Sequence, residues 1–203
     1  MPYKPDAVTA TMNASADFER HPEGSHLMVC VDVINLGTKV QEDLQGKKPP
    51  RLVPRVALVF ASGERDSQTG DLLTVQTEFT VSMHDKSNLR PFLAAWRGKS
   101  YTDDEAMAGA PLDKLAGKAA LVTVEHKQSK QGRTFANIAA ISPLPKAMRE
   151  AIPDLSADYE RGAWWDKKKA AYAEESAKFA ADHPASRPQM PKGDDTDDDS
   201  LPF

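Results

Sequence analysis

The sequence predicts a mainly β domain of five strands, with one helix inside the strand order, a second helix behind it and an acidic end. Three observations carry this expectation. Stretches rich in Val, Ile, Leu and Thr recur between residues 27 and 141, an aromatic residue returns every seven positions after residue 156, and the last twenty residues change composition abruptly. With 203 residues, 40% of them hydrophobic, the chain can bury one core. Fifteen prolines imply that part of it stays outside that core.

Residues 1–25 hold Pro2, Pro5, Pro22 and Gly24 and read as an irregular lead-in. The first strand is expected over Leu27–Asn35, closing at Gly37, and the second over Arg51–Phe60, with Pro54 suited to an edge or a bulge. Residues 72–82 alternate. Leu73, Val75, Phe79 and Val81 fall on one face, and Thr74, Gln76, Glu78 and Thr80 on the other. A hairpin follows, Ala119–Lys127 and Arg133–Ile141 around the loop Gln128–Gly132. Between the third and fourth strands, Ser87 or Asn88 can cap a short helix carrying Phe92, Leu93 and Trp96. Helical periodicity returns over 156–183, where Trp165, Tyr172 and Phe179 form a stripe that His183-Pro184 ends. That stripe can pack on the strands, pair with a second subunit, or turn Trp164 and Lys167–Lys169 toward a ligand. Residues 184–203 hold four prolines, an acid run and few apolar side chains, too little to repay ordering.

Five strands with a helix between the third and fourth match the layout of an OB-fold barrel, expected over residues 26–150. SH3-like barrels and small sandwiches share part of that layout. OB folds bind oligonucleotides across one face.

The charge pattern bears on the ligand. The net charge of −4 conceals five acids within Asp194–Asp199, and without them the chain carries 26 basic and 25 acidic side chains. Residues 118–149 contain six basic side chains and one acid, and residues 39–55 contain five against two. Basic stretches in the body and acids at the end imply two different partners. One cysteine excludes a disulfide framework and a CxxC metal site, and no zinc spacing, phosphate loop or GxSxG occurs. His84-Asp85 and Glu125-His126 pair a histidine with an acid, but adjacent strand residues point to opposite faces. No enzyme, cofactor or metal is expected. The opening residues lack the apolar stretch of a secretion signal, and no apolar run is long enough for a membrane helix. A cytoplasmic protein with no membrane partner is expected, with a homodimer as one possible state.

The last residues, Asp197-Asp-Asp-Ser-Leu-Pro-Phe203, resemble the acidic tip of bacterial single-stranded-DNA-binding proteins. Asp197, Asp198 and Asp199 steer the tip toward basic surfaces, Leu201 and Phe203 anchor it, and Pro202 limits the entropy lost on binding. A second resemblance covers roughly residues 20–149. Val31–Thr38, His84–Glu105, Leu115–Lys118 and Arg133–Lys146 with its Ser-Pro-Leu-Pro-Lys ending are similar to a group of phage and prophage proteins. This implies an OB-type protein that binds single-stranded DNA and recruits replication, recombination or repair proteins of the host or phage through its tip. A strand-annealing recombination protein and an acidic DNA mimic that binds a nuclease are the alternatives.

The choice of contact residues rests on their chemistry. Single-strand binding needs cations along the phosphates and rings under the bases. The candidates are Arg133 and Phe135 on one strand face with Lys127 and Lys130 at the turn, then Arg97, Lys99 and Tyr101 after the first helix. Lys39, Lys47, Lys48, Arg51 and Arg55 surround the first hairpin loop. Phe135 can equally face the core, and Trp96, four residues after Phe92, is expected there.

Overall fold

A computed structural model describes residues 19–42, 49–130, 132–155 and 157–183. Lys47, Lys48 and the tip residues Asp197–Phe203 lie outside them.

Five strands form one antiparallel sheet: β1 (Gly24–Gln41), β2 (Arg51–Arg65), β3 (Leu72–Thr80), β4 (Ala119–Gln128) and β5 (Thr134–Ser142), in the order β3-β2-β1-β4-β5. Helices α1 (Leu89–Arg97) and α2 (Asp103–Ala108) lie between β3 and β4, and α3 (Trp164–Asp182) follows the sheet. Among the described residues, no helix is long and apolar enough to cross a membrane.

β1 is twice the expected length because it serves two ladders. Its first third, Gly24–Val29, pairs with β4, and from Val29 onward it pairs with β2. Gly24 and Ser25 have little strand preference of their own, so pairing with Val124 and Thr123 draws them into the sheet. Register shifts at Cys30/Asp32 and Asn35/Gly37 bend the strand, and Gly37 takes a φ of 78°, which a glycine adopts without strain.

β2 is apolar on both faces, which accounts for the unbroken run Val56–Ala61. Val56, Leu58 and Phe60 join Val75 and Phe79 of β3, Val122 and Val124 of β4, and Leu89, Leu93 and Trp96 of α1 in the main core. The Trp96 ring lies 5.2 Å from Phe60, and its Nε1 donates to the Ala119 carbonyl at 3.1 Å. Ala57 and Val59 face the other way, with Ile34 and Leu36, under Trp165 and Tyr172 of α3. The seven-residue stripe is thus a packing surface, with Trp165, Tyr172 and Phe179 all buried. Asp32, buried on β1, receives Arg161 Nε and Nη2 at 2.7 Å each and the Tyr159 hydroxyl at 3.1 Å, which fixes the chain leading into α3.

Several expectations need correction. The sheet stays open: β3 and β5, its two edges, come within 8 Å Cα to Cα, but no ladder joins them. The expected closed barrel is therefore an open five-stranded sheet. β3 ends at Thr80 rather than Ser82, leaving Val81 41% exposed. The physical reason lies opposite: Pro54 accepts a hydrogen bond from the Val81 N–H at 2.9 Å but has no N–H to return. The first helix takes Asn88 at its cap position, yet it is the Ser87 hydroxyl that accepts the Arg90 N–H, at 3.4 Å. α2, absent from the sequence reading, has a reciprocal cap between Thr102 and Glu105.

Candidate nucleic-acid interface

The gap between the two sheet edges holds a cavity of about 1050 Å³. β3 contributes Thr74, Gln76, Thr77 and Glu78, β5 contributes Thr134–Asn137, the hairpin turn contributes Gly132 and Arg133, and Glu19–His21 close one side. Thr74, Gln76 and Glu78 come from the polar face of β3, and Thr77 from the face that Leu73, Val75 and Phe79 turn to the core. On β5 a register shift at Thr123/Val124 sends Ala136 and Ile138 inward, and Phe135 faces out, 44% exposed.

The β4–β5 register builds the site further. Lys127 lies directly across from Phe135, and Glu125 across from Asn137, so these four share one face. The turn that presents Arg133 is closed by Ser129 and Arg133 backbone pairing at 2.8 Å, with Gly132 at a φ of 78°.

The acids around the groove are already engaged. Glu78 pairs with Lys168, accepts from Tyr172 Oη at 3.2 Å and lies 3.6 Å from Arg55. Glu19 accepts the Ser67 N–H at 2.7 Å, which holds its carboxyl below the ordinary value. Glu125 accepts from Lys127 at 2.7 Å and from Asn137 at 3.2 Å, and the Lys127 ammonium lowers its pKa. Arg20 donates through Nε to the Thr134 carbonyl at 2.9 Å. Arg133 and Lys130 are exposed and meet no acid among the described residues.

The sequence-chosen residues therefore divide. Arg133 and Phe135 meet in the groove, with Lys127 and Lys130 beside them on the hairpin. Arg97 is occupied: it pairs with Glu105 at 2.8 Å, donates to the carbonyls of Lys99 and Ser100, and lies 4.1 Å over the Tyr101 ring. Tyr101 packs half-buried against the core, Lys99 is exposed, and none of these three lines the groove. Lys39 sits 5.0 Å over the Tyr172 ring, Arg55 donates to Thr80 Oγ1 at 3.0 Å, and Arg51 is exposed at the start of β2. Sequence reasoning missed the β3 wall and the Glu19–His21 wall. The polar alternation of β3 was visible, but nothing local announced that it would face β5.

His21 closes the groove with a buried imidazole. The Pro22 carbonyl accepts from Nδ1 at 3.1 Å and Nε2 lies 2.7 Å from the Ser62 hydroxyl; burial favours the neutral ring, in which Nε2 is the acceptor of that pair. Burial pushes its pKa down, and His26, edge-on at 4.6 Å, and His126 add to that effect against Glu64 and the Pro22 contact. Cys30, buried in the core, has its thiol pushed up to about 12 by desolvation, which makes it inert. Among the described residues, no group of three His, Cys, Asp or Glu is placed to hold a metal ion. No protein-family model matches the chain, and no curated protein does.

Proposed function

We propose that the chain is an OB-type single-stranded-DNA-binding protein whose strand path is the groove between β3 and β5. The observation that carries this reading is the exposed Phe135 ring beside Arg133 in the cavity between the sheet edges, with Lys127 directly across from it on β4. A solvated phenylalanine on a strand contributes little to the fold and offers a face on which any base can stack. Exposed Arg133 and Lys130, which meet no acid among the described residues, supply the phosphate contacts, and Lys127 can exchange its exposed, weak pair with Glu125 for a phosphate. The OB assignment is supported by the strand order, the sharing of β1 between two ladders, the approach of the edges and the helix between β3 and β4. In this reading the tip Asp197–Phe203 recruits replication, recombination or repair proteins.

A gel-shift series with single- and double-stranded oligonucleotides across salt tests the proposal. Single strands bind more tightly, and affinity falls steeply as salt rises. Changing Lys130 and Arg133 together to Ala makes the log–log slope shallower by roughly 1.4, since each phosphate on a single strand contributes about 0.7. An unchanged slope, or equal affinity for duplex, overturns it.

A further inference from the structure

A second cavity, about 250 Å³, lies where α3 begins. Trp164 borders it, 43% exposed, with one face stacked on Trp165 at 3.9 Å between ring centroids and an interplanar angle of 26°. Buried Trp165 thus fixes the orientation of its exposed neighbour. Phe135 and Trp164 are the aromatic rings among the exposed large apolar side chains of the described residues. Thr74 and Gln76 line both cavities, so the two are neighbours on β3.

We infer that one base of a single strand held in the β3–β5 groove crosses β3 and stacks on Trp164. This rests on the single-strand reading of that groove and extends it by a subsite. The cavity is too small for a length of strand, and its charge decides which part of a nucleotide enters. Asp71, Asp158 and Glu160 line it, and among the described residues Asp158 is the one of these held in an ion pair, with Arg65 at 2.7 Å. Carboxylates repel phosphate but accept from the exocyclic amino groups of cytosine and adenine. The backbone therefore stays on the Arg133 side, and the subsite favours a base bearing an amino group over thymine. Lys168 does not reverse that sign, because its ammonium is taken by Glu78.

Fluorescence titration of the full chain with short oligomers of cytosine and of thymine tests this. Trp165 and Trp96 are buried, so quenching on binding reports chiefly Trp164. Trp164→Ala binds oligo-cytosine roughly tenfold more weakly, as expected for one lost stack, with the salt slope unchanged. Trp164→Phe keeps most of the affinity and loses most of the quench. Titrations run well below each variant's melting midpoint, so that any loosening of α3 is not read as lost binding. Equal affinity of Trp164→Ala and the unaltered chain, a phenylalanine variant as weak as the alanine one, or thymine bound as tightly as cytosine overturns the subsite. If Phe135→Ala still weakens binding in that case, the groove reading stands alone. If the unaltered chain binds neither oligomer, both fail.

Discussion

The outer face of the sheet is finished in two different ways. Over β1 and β2 it is apolar, and α3 covers it, with Trp165 and Tyr172 set on Ile34, Leu36, Ala57 and Val59. Over β3 and β5 it is polar, uncovered and interrupted by one exposed phenylalanine. Both halves carry aromatic side chains, but burial gives those rings opposite duties. A ring with 2% of its surface exposed, such as Trp165, contributes to stability, whereas Phe135 at 44% has most of its binding value still available. Glu78 stands at the border. It lines the groove, yet its carboxylate belongs to Lys168 and Tyr172 of the helix. The covering helix thus also quenches a negative charge that would repel a phosphate.

The largest expected effect comes from breaking the covered half. Trp165→Ala should cost about 3–5 kcal/mol of folding stability, as deleting a buried large aromatic does. Urea titration reads this as a lower midpoint. A loss under about 1 kcal/mol would mean that α3 packs weakly and that the halves differ less than their burial implies.

Phe135→Ala tests the open half. Binding of single-stranded oligonucleotide should weaken by roughly 1–3 kcal/mol. Folding stability should shift by less than about 1 kcal/mol, because the ring is largely solvated. Melts and titrations on the same variant separate these outcomes. A stability loss with unchanged binding would reverse the assignment of the two halves.

The covered half was more legible in sequence than the open one. The strands were visible from β-branched density in β1, from alternation in β3 and from the hairpin pattern of β4 and β5, and the aromatic stripe of α3 from its seven-residue spacing. The partner of that stripe was not, because a two-sided run such as Val56–Ala61 does not say what covers each face. Arg133 and Phe135 line the same cavity, though Arg133 sits in the turn before β5, and parity cannot choose between core and solvent. That choice was made by the register shift opposite Thr123/Val124, a long-range pairing feature. For the same reason Arg97 looked available: its engagement by Glu105, eight residues away, depends on the turn between α1 and α2. The expectation for the tip Asp197–Phe203 lies outside the described residues.

The smallest expected effect sharpens the boundary between the groove and the core beneath it. His21 lines the groove, yet its ring is buried and neutral, accepting from Ser62. The titratable groups facing it are His26, His126 and Glu64, and Glu23 is tied to the His126 N–H at 2.7 Å nearby. Its folded pKa lies below the ordinary value near 6.5, so the unfolded chain takes up a proton first as pH falls. The stabilising contribution of neutral His21 is therefore fully present above about pH 6.5 and declines as pH falls toward the folded value. Urea midpoints should drop between about pH 7.5 and 5.5 for the unaltered chain. In His21→Gln, where the side chain cannot titrate, that drop should be smaller. Because His21 carries the Glu19–Arg20 wall, oligonucleotide affinity should loosen over the same interval in the unaltered chain, beyond any change that His21→Gln still shows. Identical pH profiles for the two proteins would place the acid sensitivity elsewhere and leave this wall a passive border of the groove.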